Sequence, residues 1–272
     1  MSAQANITGH FGEWLQGRMG PEGRLSLITV NCPALSVRVK RRDDPILTLV
    51  QEGRPVLSRK RARALLDHMT LPISGCFTID HDMPAGGGAG ASTGALLGVL
   101  AAAGCDASPE DLARACVAIE GASDPIMFPH PDEMLWASRR AEIMQQIGAI
   151  PECEIVGGFL PYTERTEPED LQFPDISDLV PEWERAIACG DLPALADLAS
   201  TSAERTTTLR GPEKDITPVL RKSLGALGHI RAHTGSARGL VFERGTVPPD
   251  AVDLLRAGGL TRVIRFTTGR AP

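Results

Sequence analysis

The chain has 272 residues, of which 42% are hydrophobic and 23% charged, proportions that are ordinary for a globular protein and exclude disorder as its main state. Acidic residues outnumber basic ones by 34 to 28, which gives a net charge of −6, and aromatic residues make up only 4%. Because nucleic acids attract basic surfaces and stack their bases on aromatic rings, this composition disfavours a large nucleic-acid partner.

The cysteines and the apolar stretches narrow the class of protein further. Six cysteines are scattered along the chain and form no Cys-x-x-Cys pair, so neither a zinc site nor a disulfide framework is predicted. The first residues lack the basic run and apolar stretch of a signal peptide. The longest apolar run, at 95–103, is too short to span a bilayer. We therefore expect a reduced, cytoplasmic protein without a membrane partner.

The first half of the chain is predicted to contain short strands followed by helices. Alternating apolar and polar residues predict strands at 25–30, 35–41, 46–51 and 76–80. Helices are predicted at 58–69, after the glycine-rich stretch near residue 90, at 108–120, where Ser-Pro-Glu-Asp is a strong helix start, and at 133–147. The basic residues at 58–63 are interpreted as a solvated helix face rather than a nucleic-acid patch.

The composition changes near residue 150, and a mixture of strands and helices follows. Strands are predicted at 155–162, 229–231, 240–243 and 261–267, and helices at 181–189, 193–202, 217–227 and 249–257. A polar, proline-rich stretch at 163–178 is either a lid or a connector. The length allows two modest domains, which we place at 1–150 and 151–272.

The most informative segment is a glycine-rich loop at 84–95, with the sequence PAGGGAGASTGA. Four glycines in five positions let the backbone approach a ligand closely. The loop then opens a helix, whose unpaired N–H groups and partial positive charge suit phosphate. The loop has no Gly-Lys-Ser/Thr and so is not a P-loop, and no βαβ unit with an acidic residue follows. The alternative is a flexible turn capped by serine.

This loop resembles the signature Pro-x-x-x-Gly-Leu-x-Ser-Ser-Ala-Ala of the GHMP kinases. Pro84, Gly88 and Ser92 match it, whereas Ala89 and Ala91 depart from it, as does the Thr-Gly pair at 93–94. The resemblance implies that the loop wraps the ATP phosphates and that Ser92 reaches Mg²⁺. The residues it implies at the cofactor are Pro84, Gly86, Gly87, Gly88, Ala89, Gly90, Ala91, Ser92 and Thr93.

A second segment, Glu-Gly-Ala-Ser-Asp at 120–124, is similar to the Glu-Gly-x-x-Asp-Asn run of homoserine kinases, with Pro125 in the place of Asn. The resemblance implies that Glu120 is a Mg²⁺ ligand beside Ser92 and that Asp124 is the catalytic group. Chemically, a carboxylate can bind Mg²⁺, and an aspartate can accept or orient the proton of a substrate hydroxyl. The alternative is an exposed helix end at Glu120 and a loop cap at Asp124.

Three more segments refine the resemblance. The sequence GHFGEWLQG at 9–17 is similar to the L-threonine kinases of cobalamin assembly, as is Met-Phe-Pro at 127–129. Buried Glu13 and Gln16 would be costly unless paired. They are predicted substrate contacts, and a strand-edge pair bonded to the backbone is the alternative. The run AHTGSARGL at 232–240 resembles a third GHMP motif and implies that Gly235 and Ser236 lie near the substrate. A hairpin with a glycine turn is the alternative there.

The resemblance implies an α+β, two-domain GHMP kinase fold, with an N-terminal α/β domain like that of a ribosomal protein and a C-terminal ferredoxin-like domain. The implied activity uses ATP and Mg²⁺ to phosphorylate a small alcohol, with L-threonine preferred, giving O-phospho-L-threonine in cobalamin biosynthesis. A homoserine-like or isoprenoid-precursor substrate and a nucleotide-binding relic remain alternatives. A lone histidine is more often structural, so His10 and His81 receive no catalytic role, and Arg139 and Arg140 are interpreted as a solvated helix face.

Overall fold

Two long antiparallel strands form the centre of the computed structural model, which describes residues 3–162, 170–212 and 215–270. Strand β1 is Ala3–Met19 and strand β2 is Arg24–Arg42. Their register runs from Ala3 opposite Arg41 to Met19 opposite Arg24, with bulges near the middle. The sequence predicted two short strands at 25–30 and 35–41, and the structure joins them into β2, whereas β1 was not predicted.

One continuous sheet includes strands from both halves of the chain. Its order is β10-β7-β9-β8-β1-β2-β4-β3, and the two halves meet at the pairing of Glu13 in β1 with Arg231 in β8. The remaining strands are β3 (Thr48–Gln51), β4 (Cys76–His81), β5 (Met134–Ala137), β6 (Glu142–Gln146), β7 (Cys153–Phe159), β8 (Gly228–Arg231), β9 (Ala237–Glu243) and β10 (Thr261–Thr268). Strands from both halves of the chain share one sheet, so the sheet alone does not locate a domain boundary. The boundary predicted at residue 150 stays a prediction.

The helices pack on this sheet and on one another. They are α1 (Arg59–His68), α2 (Ala91–Ala102), α3 (Pro109–Glu120), α4 (Leu179–Cys189), α5 (Leu192–Arg210), α6 (Thr217–Ser223) and α7 (Ala251–Ala257). All the predicted helices except the one at 133–147 are present, although α5 extends eight residues beyond its predicted end at 202. Within the described ranges, no helix is both long and apolar enough to cross a membrane.

Helix α2 lies directly against the central strands. Ten of its twelve residues are buried, as expected for a helix that is apolar on all sides. A Cβ atom added at Gly94 would lie 2.9 Å from Val37, and one added at Gly98 would lie 2.4 Å from Val39. These glycines therefore allow the helix to approach β2 closely, and they fix the position of the loop that precedes it.

Helix α3 begins and ends as the sequence predicted. The Oγ of Ser108 accepts a hydrogen bond from the backbone N–H of Asp111 at 3.1 Å, and Pro109 occupies the first helical position. Gly121 ends the helix in the left-handed conformation, with φ of 77°. This end point places Glu120 and the residues that follow it beside the start of α2.

The prediction of a helix at 133–147 is wrong, because this segment forms the hairpin of β5 and β6. Its Glu, Met and Gln residues favour a helix, but tertiary pairing overrides that preference. All four residues of β5 are buried, and β5 pairs with β2 through Trp136 opposite Leu27. The Nε1–H of Trp136 also donates to the carbonyl of Ser123 at 2.7 Å. Arg139 and Arg140 consequently lie in a turn rather than on a helix face.

The polar stretch at 163–178 is only partly described, and residues 163–169 lie outside the described ranges. The rest is bonded to the end of β1. The N–H of Arg18 donates to the carbonyl of Pro174 at 2.8 Å, and the N–H of Ile176 donates to the carbonyl of Arg18 at 3.1 Å. Phe173 is fully buried. Residues 173–176 are therefore held on the sheet.

Candidate active site

An open cleft lies where the central strands, the glycine-rich loop and the start of α2 meet. All nine residues predicted at the cofactor line it, together with Glu120 and Asp124. The other lining residues are His10, Glu13, Leu27, Arg54, Pro55, Val56, Arg61, Ala85, Ala122, Ser123, Ser138, His233 and Thr234. The structure thus brings most of the predicted site into one place.

Carbonyl groups of the glycine-rich loop accept hydrogen bonds from backbone N–H groups of β1 and of residues 236 and 237. The bonds are those of Ser236 N–H and Ala237 N–H to Gly87 O (3.0 and 2.9 Å), of Gly12 N–H to Gly88 O (3.2 Å) and of His10 N–H to Ala89 O (3.1 Å). In a trans peptide the carbonyl and the next N–H point in opposite directions. These three carbonyls are thus fixed on β1 and beside the turn after β8, which is the segment 232–236. The N–H groups of residues 88–90 therefore point away from those elements.

Two glycines allow the loop and the turn after β8 to touch. Gly88 has φ of +74°, and a Cβ atom there would lie 2.4 Å from both Ala232 Cβ and the Thr234 carbonyl oxygen. Gly235 has φ of +105°, and a Cβ atom there would lie 2.6 Å from atoms of the loop backbone. A side chain at either position would separate the two segments. Gly235 and Ser236 therefore contact the backbone of the loop and do not line the cleft.

The first turn of α2 is suited to an anion. Its N-cap, Gly90, has φ of 81° and provides no side-chain hydrogen bond, whereas Ser58, Ser108 and Asp191 cap α1, α3 and α5 with their side chains. The N–H groups at the start of a helix carry partial positive charge. A phosphate could therefore bind at the start of α2, where Ser92 and Thr93 add hydroxyl groups.

Ser92 and Glu120 form a small oxygen cluster beside this helix end. The Oγ of Ser92 donates to Oε1 of Glu120 at 2.5 Å, and Nη1 of Arg61 donates to the same oxygen at 3.1 Å. Glu120 is only 10% exposed. Hydroxyl and carboxylate oxygens are the ligands that Mg²⁺ prefers, and it usually takes few of them from protein. The pair therefore fits a magnesium ion that also binds phosphate.

Asp124 lies next to the same helix end. Its Oδ2 accepts a hydrogen bond from Thr93 Oγ1 at 3.0 Å and lies 3.4 Å from Nε2 of His10. Burial raises the pKa of Asp124, but the positive charge of His10 and the hydrogen bond from Thr93 outweigh it, so the pKa is lowered overall. The carboxylate is therefore ionised at neutral pH and is positioned to accept a hydrogen bond from a hydroxyl group.

His10 is the functional candidate that sequence reasoning missed. It is buried in β1, with Nε2 near Asp124 and Nδ1 3.7 Å from Oε1 of Glu13. Burial lowers its pKa, but the charges of Asp124 and Glu13 raise it to about 9. Burial raises the pKa of Glu13 to about 8. A protonated imidazole thus lies between two carboxyl groups, and only the fold brings Asp124 to it.

We expect His10 to titrate near pH 9 in a histidine NMR titration, assigned by comparison with His10→Gln. Since its folded pKa exceeds the unfolded value of 6.5, its stabilising contribution is complete below pH 6.5 and is lost as the pH rises through about 9. Asp124→Asn removes the largest favourable charge and should lower the midpoint. A midpoint at or below 6.5 in the unmodified protein would contradict this arrangement.

Gln16, a predicted substrate contact, lies outside the cleft, as do His81 and Arg140, for which no role in the site was predicted. Gln16 is fully buried, and its backbone N–H donates to Ser202 Oγ at 2.9 Å while Nε2 donates to the Arg231 carbonyl at 3.2 Å. Nδ1 of His81 lies 2.6 Å from the Met83 carbonyl. Arg140 is exposed and pairs with a glutamate at 3.3 Å. These contacts link β1 to β8 and stabilise surface turns.

The comparisons with known proteins support the fold. No family model matches the sequence, and no curated protein matches it. Solved structures do: L. major mevalonate kinase in complex with R-mevalonate has a TM-score of 0.68 at 15% identity, covering 99% of this chain and 97% of that one. A putative homoserine kinase from Listeria monocytogenes has a TM-score of 0.66 at 14% identity, covering 100% and 98%.

A third similar structure is a 4-(cytidine 5'-diphospho)-2C-methyl-D-erythritol kinase, with a TM-score of 0.60 at 20% identity, covering 98% of this chain and all of that one. Each of these likenesses extends over nearly the whole of both chains. The α+β architecture implied by the resemblance to GHMP kinases is therefore confirmed as the fold of this protein.

Proposed function

We propose that this protein is an ATP-dependent kinase that phosphorylates a hydroxyl group of a small molecule. The observation that carries the proposal is the 3.0 Å hydrogen bond from Thr93, in the first turn of α2, to Asp124. It joins a helix end suited to phosphate to a carboxylate suited to a hydroxyl. A phosphate at the helix end and a hydroxyl at Asp124 would be neighbours, as phosphoryl transfer requires.

The cleft has the features that Mg²⁺ and ATP need. The N–H groups of residues 88–93 would hold the phosphates, and the oxygens of Ser92 and Glu120 would hold Mg²⁺. Bound Mg²⁺ supplies positive charge that offsets the negative charge of the phosphates. Arg61, which contacts Glu120 at 3.1 Å, adds a cation at the same point. The net charge of −6 is thus compatible with an anionic cofactor.

Asp124 would orient the acceptor hydroxyl and receive its proton. Its lowered pKa makes it a weak base, but phosphoryl transfer depends mainly on positioning and electrostatics and needs little help from a strong base. His10 would keep the carboxylate ionised, and its side chain together with Thr93 would fix the direction of the carboxylate. His10 acts through Asp124 and is a positioning residue.

The preferred acceptor is L-threonine, which would yield O-phospho-L-threonine for cobalamin biosynthesis. The similarity of segments 9–17 and 127–129 to L-threonine kinases supports this choice. Glu13, buried at the cleft, offers a carboxyl group to an amino group of the substrate. A homoserine-like alcohol or an isoprenoid precursor is the second candidate, because the similar solved structures include a putative homoserine kinase and a mevalonate kinase.

ADP release measured with Mg²⁺-ATP over L-threonine, L-homoserine, L-serine and R-mevalonate tests the proposal. We expect Mg²⁺-ATP to raise the melting temperature, and L-threonine to give the highest kcat/KM. A higher melting temperature without ADP release from any alcohol would identify a nucleotide-binding relic. The absence of both stabilisation and ADP release would reject the kinase proposal.

A further inference from the structure

The turn after β8 brings a buried histidine to the cleft. His233 lines the cleft beside Thr234 and is only 6% exposed. Its ring stacks on Phe173, with centroids 4.0 Å apart and planes inclined by 9°. Among the described residues, neither Nδ1 nor Nε2 has a hydrogen-bond partner. Two unpartnered ring nitrogens at a buried position cost free energy unless a ligand bonds them.

The surroundings of this histidine are rich in arginine. Burial lowers the pKa of His233 to about 3, with the positive charges of Arg139, Arg210 and Arg231 acting in the same direction and the charge of Asp124 opposing them. The ring is therefore neutral at neutral pH, with one nitrogen donating and the other accepting. The positive surroundings favour an anion as the partner of the donating nitrogen.

Each arginine reaches this region from a different element. Arg139 lies in the turn between β5 and β6, and Arg210 ends α5 with its guanidinium 4.4 Å above the Phe173 ring. Arg210 also pairs with Asp170 at 2.5 Å, so part of its charge is offset. Arg231 donates to Gly211 O at 2.9 Å and is buried. The contacts of Arg210 and Arg231 fix these two cations near the histidine.

We propose that His233 binds a carboxylate group of the acceptor, so that the substrates of this protein are hydroxy acids rather than neutral alcohols. The inference rests on the proposed kinase function and names its substrate class. The carboxylate would lie at the histidine while the hydroxyl group lies at Asp124, because both residues line the same cleft. Asp124 repels a carboxylate, which favours this orientation over the reverse.

The test uses His233→Phe, which removes both nitrogens and keeps an aromatic ring to stack on Phe173. Paired substrates isolate the carboxylate: L-threonine against 1-amino-2-propanol, and L-homoserine against 3-amino-1-propanol. We expect the substitution to raise KM for both amino acids by about tenfold or more, as for loss of a hydrogen bond to a charged group. KM for the two amino alcohols and for ATP should not change.

Calorimetric binding of L-threonine to the protein with a non-hydrolysable ATP analogue gives a second readout that needs no turnover. His229→Phe is the matched control, because His229 is also buried and lies in β8 outside the cleft lining. It should leave the affinity for L-threonine unchanged.

Three results would overturn the inference. They are equal losses for amino acids and amino alcohols, an altered KM for ATP, and turnover of alcohols that lack a carboxylate in preference to those that have one. The last result would leave the kinase proposal intact. If none of the alcohols causes ADP release, the kinase proposal itself is rejected. Calorimetry would still report whether His233 is needed to bind L-threonine.

Discussion

Asp124→Asn is expected to lower kcat by about a hundredfold or more, the usual effect of removing a group that accepts a proton in the transition state. Asparagine has the same shape as aspartate and can keep the hydrogen bond from Thr93. It cannot accept a proton, and it removes the negative charge next to His10. KM for ATP should change little, because Asp124 is proposed to contact the acceptor hydroxyl and not ATP. Steady-state kinetics with ADP release measure both kcat and KM.

The matched control is Asp132→Asn. Asp132 is 7% exposed, and burial raises its pKa, but it does not line the cleft. Replacing it tests whether any buried carboxylate matters. We expect kcat to remain near that of the unmodified protein. An Asp124→Asn protein with unchanged kcat, or equal losses in both variants, would remove Asp124 from the reaction.

The parts of the site that are local in sequence could be predicted from it. The loop at 84–93 and the run at 120–124 each carry their chemistry within a few residues, because glycine density and helix-end signals are local. The structure places both at one cleft. Helix α3 could likewise be predicted, since its cap and its stop residue adjoin it. Such features depend on neighbours along the chain and need no knowledge of the fold.

The parts that depend on distant contacts could not be predicted. Strand β1 has bulges on either side of His10 and buries Glu13 and Gln16, so it lacks a clean alternation of apolar and polar residues. The hairpin at 134–146 forms because β5 pairs with β2, against its own helical preference. The surroundings of His10 and His233 are assembled from strands, turns and helix ends that are far apart in sequence. A single sequence contains no signal for such groupings.

Gly88→Ala is expected to weaken ATP binding by about tenfold or more and to lower the melting temperature. A non-glycine residue at positive φ costs roughly 1–3 kcal/mol, and Gly88 has φ of +74°. The added Cβ would also lie 2.4 Å from the Thr234 carbonyl oxygen, closer than real Cβ atoms come. The loop must therefore shift from the turn after β8, which breaks the bonds from the Ser236 and Ala237 N–H groups to the Gly87 carbonyl. The N–H groups at 88–90 then lose their direction.

Gly104→Ala separates this effect from the cost of positive φ alone. Gly104 has φ of +83°, but nothing lies within 4 Å of the position that its Cβ would take. It follows α2 at the end remote from the cleft. This variant should lose stability from backbone strain and bind ATP as the unmodified protein does. Calorimetry with Mg²⁺-ATP and thermal unfolding of both variants measure the difference. Equal ATP affinities in the two variants would mean that contact between the loop and the turn after β8 does not shape the ATP site.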